Sequence, residues 1–395
     1  MKAPKRVPLG KSLILCLSFI LSITMVGLMD ITFLGTSSAV PSATRNHQSM
    51  ALRLPTGNVL VFDVGEATQH QFQKSQVRTG RIQAIFITHL HGDHCYGLPA
   101  LICTMSMTLQ NEMSETLEIY GPANLRRWLR STFQLTYATF QRKYRVHEFL
   151  SSEDPRDENL GLMENELPGD NIYVQSSSSP HWRVQLADGY TVTAVPILHS
   201  IPALGYIVCE PPVPGKINLS EIKPVLDSQK DALARQGIKN PMILLGQLQK
   251  GQKVVLPDGT ELLPAPTRRG RKVVILGDTK DATSVIPFCE SDPPHVLVHE
   301  ATNALTSADP PGTTLEEVTA STVDHGHSTP QMAGSLAKAI KAKHLLMTHF
   351  SSRYRGDETP DALALMEEIR TQAIETAGHE NVHCARDLWS FNIEL

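Results

Sequence analysis

Thr88-His89-Leu90-His91-Gly92-Asp93-His94 places three imidazoles and one carboxylate within six residues, directly after an apolar run over 84–88. That run reads as a buried strand, so the cluster falls on the turn at its end. Neutral imidazole and carboxylate are good ligands for Zn²⁺. Alternate residues of a tight turn can face one metal while the next pair faces another. A polar loop that merely holds histidines is the bland alternative, and the spacing is too specific for it. Two metals need more ligands than this turn supplies. His199 follows an apolar stretch over 191–198, Asp278 follows one over 272–276, and His349 follows one over 344–347. Any one of them alone would more often be structural. As a set, each at a strand end, they complete a constellation. Histidine is the unusual count in this chain, at 16 residues.

Outward from the cluster, short strands and helices alternate. Strands are expected over 31–34, 51–54, 59–62, 190–196, 204–209 and 295–298, and helices over 66–74, 97–109, 122–135 and 361–375. The pattern predicts a layered α/β fold with a site along one sheet edge. The 395 residues are 41% hydrophobic and 19% charged, which excludes wholesale disorder. A net charge of −4 argues against coating nucleic acid by charge alone, though not against a local basic groove. Six dispersed cysteines without a CxxC pair do not make a disulfide scaffold.

Residues 1–28 stand apart. Lys2, Lys5, Arg6 and Lys11 precede an uncharged apolar run over 12–29. It reads as a targeting or anchoring segment, giving possible membrane association through 12–29 only. The rival reading is an upstream extension with initiation at Met29. An organelle transit peptide fits less well. The compartment stays open: cytoplasm or an organelle. Residues 151–170 carry seven acids against Arg156 and read as an exposed loop. Residues 211–267 are rich in Pro, Gly, Lys and Gln and read as an excursion from the core, with a helix near 220–235.

Flanking motifs narrow the class. They are LGTSSAVPSATRN (34–46), FDVGEATQ (62–69), FITHLHGDHCYGLPALICT (86–104), HSIPALGYIV (199–208), PGKIN (214–218), ILGDT (275–279), HEAT (299–302), HGHSTPQMA (325–333) and LMTHFSSRY (346–354). From Met29 almost to Leu395 the chain resembles ribonuclease Z, the tRNA 3′-processing endonuclease of the metallo-β-lactamase superfamily, in its short ELAC-type form. HEAT and HGHST are the specific signatures.

The resemblance implies a four-layer αβ/βα metallo-β-lactamase fold over 29–395 with a protruding arm within 211–267. It implies two zinc ions per subunit. His89, His91 and His199 would hold one, Asp93, His94 and His349 the other, and Asp278 would bridge them. Asp93 would also accept a proton. His327, paired with Glu300, would protonate the leaving oxygen or stabilise the transition state. Each has a bland rival: Glu300 as a cap on a turn, and Asp63, expected to orient a ligand histidine, as an ordinary turn aspartate. The implied substrate is precursor tRNA, cut to leave a tRNA 3′-hydroxyl and a trailer 5′-phosphate, and the implied assembly is a homodimer. Lys216, Lys223, Lys230, Arg235, Lys239, Lys250 and Lys253 are candidate RNA contacts on the arm. Arg45, Asn46 and Arg353 are candidates near the site. The chain departs from the family where Ile238-Lys239-Asn240-Pro241 replaces a Gly-Pro turn, and where the loop Pro41 to Asn46 lacks its lysine. The runner-up is another hydrolase on this fold, an arylsulfatase or cyclic phosphodiesterase. A non-catalytic relative is disfavoured because all seven ligand positions are filled.

Overall fold

The protein is described from a computed structural model, covering residues 27–108, 116–139, 141–154, 161–176, 178–212, 215 and 217–395. The basic start of the chain, its apolar run up to residue 26, Arg156, Asp157, Glu158 and Lys216 lie outside the described residues.

The long apolar runs become strands buried on both faces, and short, partly exposed strands join them. In the first half these are β1 (Met29–Gly35), β2 (Ser49–Arg53), β3 (Val59–Val64), β4 (Ile82–Phe86), β5 (Leu117–Pro122), β6 (Tyr144–Leu150), β7 (Glu166–Leu167) and β8 (Asn171–Tyr173). The second half adds β9 (Trp182–Gln185), β10 (Thr191–Ile197), β11 (Ala203–Cys209), β12 (Val254–Val255), β13 (Glu261–Leu262), β14 (Lys272–Leu276), β15 (Val296–Glu300), β16 (His344–Thr348), β17 (Val382–Cys384) and β18 (Ser390–Ile393). One sheet runs β18-β1-β2-β3-β4-β5-β6-β7, with β8 also on β6, and the other runs β17-β16-β15-β14-β11-β10-β9.

The period-2 alternation of side chains explains the layers. On β4, Ala84 and Phe86 join the core between the sheets, while Ile85 packs outward against the helix Leu98–Thr108 side. On β14, Val273 and Ile275 point inward, and Val274 and Leu276 pack with residues of the helices Pro330–Ala339 and Pro360–Ala377. Helix, sheet, sheet, helix is the expected four-layer arrangement. Its centre is aromatic: Phe86 stacks on Phe62 at 5.2 Å and on Tyr120 at 5.0 Å, and meets the edge of Tyr206 at 5.3 Å. Phe86→Ala should therefore cost about 3–5 kcal/mol. A fall in the urea midpoint at unchanged slope would show it; an unmoved midpoint would contradict this packing.

β3 to β6 are parallel, as are β14 to β17. Their carboxyl ends open onto a common edge, where α/β folds place ligands. The two sheets are tied together there. Leu204 N–H donates to the Thr88 carbonyl at 2.9 Å and Tyr206 Oη donates to that of Ile87 at 2.5 Å.

Two expectations need correction. The acidic stretch is not simply an exposed loop, because Glu166 is buried on β7 in a bidentate pair with Arg130 Nε and Nη2 at 2.8–3.0 Å. Pairing lets the carboxylate leave water. Met29 belongs to no anchor either; it starts β1 and is buried. Among the described residues no helix is long and apolar enough to cross a membrane.

Residues 211–267 intervene between β11 and β14. They form helices Leu219–Ser228, Lys230–Arg235 and Leu244–Gln249 and the β12–β13 hairpin. Leu226, Leu233, Leu244, Leu248, Val254, Leu256 and Leu262 make a small core of their own.

Candidate metal centre

Asp63, near the end of β3, organises the edge. Its backbone is held at φ 57°, in the left-handed region that a non-glycine residue enters only at a cost. One carboxylate oxygen accepts from Thr88 N–H at 2.7 Å. The other accepts from Thr88 Oγ1 at 2.8 Å and from His94 Nδ1 at 2.7 Å. The turn after β4 is thus fixed to β3. Backbone contact tightens it further: a β-carbon at Gly97 would lie 2.0 Å from the Gly65 carbonyl oxygen, so only glycine fits there.

The turn, with the ends of β10, β14 and β16, brings seven predicted ligands into two groups. In the first, His91 Nδ1 lies 3.2 Å from both His89 Nε2 and His199 Nε2. Asp278 Oδ2 lies 3.8 and 3.9 Å from those two imidazoles. In the second, His94 Nε2 and His349 Nε2 are 3.2 Å apart. Asp278 Oδ1 lies 3.2 and 3.3 Å from them, and Asp93 Oδ2 lies 3.6 and 3.5 Å away. Asp278 offers one oxygen to each group. Metal–nitrogen bonds of about 2.0–2.1 Å in a tetrahedron separate ligand atoms by roughly 3.3 Å, which these spacings match. The residues present fit two closely spaced divalent ions of the borderline type that prefer imidazole and carboxylate.

The far nitrogens are occupied. His89 Nδ1 is 2.9 Å from Thr88 Oγ1, His199 Nδ1 donates to the Gly326 carbonyl at 2.8 Å, and His349 Nδ1 is 3.1 Å from Thr302 Oγ1. Such bonds fix the tautomer that leaves Nε2 free for a metal. The Ala39 N–H donates to Asp93 Oδ2 at 2.8 Å and sets that carboxylate. His349, like Asp63, has a left-handed backbone, at φ 56°.

Beside the second group a half-buried imidazole pairs with a buried carboxylate. His327 Nδ1 is 3.2 Å from Glu300 Oε2 and 3.3 Å from Oε1. Glu300 Oε1 accepts from Thr279 N–H at 2.6 Å, and its Oε2 accepts from Thr302 Oγ1. Glu300 ends β15, where its register partner on β16 is Thr348, immediately before His349. Sequence reading did not single out Thr302, Thr88 or the Ala39 amide. Thr302 was within reach as the last letter of HEAT; the backbone amide carried no signal.

The electrostatics suit a bound cation. Burial, then the neighbouring imidazoles, pushes His89 well below its ordinary value, and His91 is lowered likewise. Neutral imidazole is the ligating form. Burial works against charge on His94 too, but Asp278 and Asp63 outweigh it and raise its pKa well above normal. Burial would raise Asp278, yet His349 and His94 hold it well below the carboxylate range. Three carboxylates here crowd the imidazoles, and a dication relieves that excess better than a proton does.

The RNA-contact expectations fare unevenly. Arg45 is corrected. It is fully buried, with Nε donating to the Tyr354 carbonyl at 2.8 Å and Nη1 to Thr36 Oγ1 at 2.7 Å, and it sits 4.6 Å from the Phe350 ring centroid. Its bonds are spent inside the protein, so it cannot reach a phosphate. Asn46 is half-buried and donates its Nδ2 to the Glu66 carbonyl at 2.9 Å. Arg353 is exposed but paired with Asp309 at 2.5 Å. Lys223, Lys230, Arg235, Lys239, Lys250 and Lys253 are all exposed, and Lys253 is paired with Glu261 at 2.6 Å.

Facing mixed sheets, outer helices and paired His/Asp groups at one edge define a hydrolase of the metallo-β-lactamase fold. The chain belongs to the ribonuclease Z family. It is 35% identical over 391 residues to zinc phosphodiesterase ELAC protein 1 of Bos taurus, covering 93% of this chain and 99% of that protein. Ribonuclease Z of Microcystis aeruginosa is 34% identical over 347 residues, covering 87% and 91%. The crystal structure of human tRNase Z, short form (ELAC1), superposes with a TM-score of 0.59 at 30% identity, over 93% of this chain and all of that one. The metallo-β-lactamase fold protein YhfI from Bacillus subtilis, at 17% identity and a TM-score of 0.52 over 92% and 99%, shares the fold. A family profile described as anti-Pycsar protein Apyc1 matches residues 29–159, the part carrying the histidine turn.

Proposed function

We propose that this protein is a zinc-dependent endoribonuclease that removes the 3′ trailer from precursor tRNA. The observation that carries the reading is the pair of donor groups sharing Asp278, set beside the Glu300–His327 pair in a ribonuclease Z chain. His89, His91 and His199 would hold one zinc, Asp93, His94 and His349 the second, with Asp278 between them. Zinc held there would offset charge on the phosphate and bring a water's pKa toward neutrality. Asp93, partly open to solvent, would accept the proton lost by the attacking water. Attack on phosphorus breaks the bond to the 3′-oxygen, so the phosphate stays on the trailer. His327 would supply the proton that oxygen needs, from Nε2, since Nδ1 is engaged with Glu300. Burial opposes charge on His327, but Glu300 prevails and raises its pKa to about 9, so this pairing favours the protonated ring.

Asp63 acts through His94 and Thr88. Asp63→Asn should weaken metal retention about 10–100-fold. Titration with a zinc indicator measures this, and wild-type affinity would remove Asp63 from the account. The 211–267 segment would be the arm that holds tRNA, on the domain formed by residues 29–395. Because its core is separate, replacing 217–264 by a short linker should raise KM for precursor tRNA more than about 10-fold while zinc content is kept. Unchanged KM would refute the arm. The resemblance to the short form supports a homodimer, which sedimentation tests. A reporter fusion of residues 1–28 tests targeting or membrane association.

Function is tested by adding precursor tRNA to the purified protein after chelation and again after zinc is restored. Cleavage that disappears and returns is expected. Turnover of an aryl sulfate or cyclic diester with the precursor left intact would favour the runner-up.

A further inference from the structure

We propose that Tyr96, with Val40 and Leu198, forms an apolar rim on which an unpaired base next to the cleaved phosphodiester stacks; this rests on the ribonuclease reading above. The groups suited to phosphate and metal are buried and polar: His89, His94, Asp278 and His349. They can engage a backbone but offer no surface to a base. Three residues close to them along the chain have the opposite character. Tyr96 is 64% exposed, Val40 59% and Leu198 57%. Each is tied to the centre by the chain. Tyr96 lies two residues after His94, and Leu198 immediately precedes His199. Val40 follows Ala39, whose N–H donates to Asp93 Oδ2.

Tyr96 is the main platform. A β-carbon at Gly92 would stand 2.3 Å from Tyr96 Cε2 and 2.6 Å from Cζ. The ring therefore rests against the backbone between His91 and Asp93, and glycine at 92 is what lets it lie there. One side of the ring is set by this contact while most of the side chain stays open. Leaving a large aromatic exposed beside a charged centre forgoes burial. The cost makes sense when a ligand covers the ring, and a precursor strand threaded to the centre brings a base with a π face. Every base has such a face, so the platform would hold the strand without reading its sequence. Val40 and Leu198 would bound the stacked base and exclude water from it.

A double-mutant cycle tests the proposal. KM and kcat of wild type, Tyr96→Ala and Tyr96→Phe are measured on intact precursor tRNA. They are measured again on two versions lacking one base, at the nucleotide on either side of the cut. Tyr96→Ala should raise KM about ten-fold on intact RNA, within the range of base–aromatic stacking, and Tyr96→Phe should not. The penalty should vanish on one of the two abasic RNAs. An unchanged KM on intact RNA, or an equal penalty on both abasic RNAs, would overturn the platform. Wild type failing to cut intact RNA would instead overturn the ribonuclease reading. Should Tyr96→Ala lower the thermal midpoint, Leu198→Ser and Val40→Ser carry the same cycle, with a KM increase in the same direction expected and no increase refuting the rim.

Discussion

Asp278→Ala should lose metal and cleavage together, with activity down by about 10³-fold or more, at or beyond the scale of losing one main transition-state stabiliser. Among the described residues Asp278 is the one side chain shared by both donor groups, with Oδ1 toward His94 and His349 and Oδ2 toward His89 and His199. Without it the first group keeps only imidazoles. The second keeps Asp93 as its sole carboxylate. A single ligand carboxylate, Asp93, then faces two dications near one another, whose like-charge repulsion it offsets less than two carboxylates do. Elemental analysis should find about two zinc ions per wild-type chain and markedly less in the variant, because carboxylate ligands supply the charge that holds the metal. Asp278→Asn keeps the shape and removes the charge, so it separates the two contributions. Full metal content and activity in both variants would dismantle the assignment. The fold should survive, since Asp278 lies beyond the end of β14 and makes no contact in the aromatic centre.

Glu300→Gln should lower kcat about 10²-fold while leaving zinc content near that of wild type, in the range for loss of a positioned proton donor. Glu300 touches His327 directly, whereas Thr302 stands between it and His349. Its carboxylate raises the His327 pKa, and the amide cannot. A donor must hold its proton, so activity falls on the alkaline side as His327 deprotonates. In the variant that alkaline limb should move to lower pH. Bound metal cations pull the His327 value down in both proteins, and the direction of the difference stays the same. A limb that does not move, or a variant that loses its zinc, would place Glu300 in structure rather than catalysis.

Much of this centre was legible because its ligands are written as strand-end residues after apolar runs. His89 to His94, His199, Asp278 and His349 follow β4, β10, β14 and β16, and parallel strands bring their ends to one edge. The strand β6 was not legible. Tyr144–Leu150 contains Arg145, His147 and Glu148, which break the apolar pattern. Their partners settle them in the sheet: Glu118 accepts from Arg145 and His147 at 2.8 Å, and Glu148 accepts from Arg126 N–H at 2.9 Å. Arg45 misled for a similar reason. In a turn rich in Ser and Thr it reads as exposed, but Tyr354, Ala385 and Phe350 arrive from the far end of the chain to enclose it. Burial draws its pKa down to about 10, with Asp387 acting in the other direction. Long-range pairing of a charge leaves no local pattern. The same holds for Glu166 and Arg130.

Mapping the ends of the products made from precursor tRNA by the zinc-loaded protein tests the central claim most directly. The account predicts one cut at the start of the trailer, with a 3′-hydroxyl on the tRNA, a 5′-phosphate on the trailer, and no cut after chelation. A precursor left whole, a cut elsewhere, or a 3′-phosphate on the tRNA would contradict it.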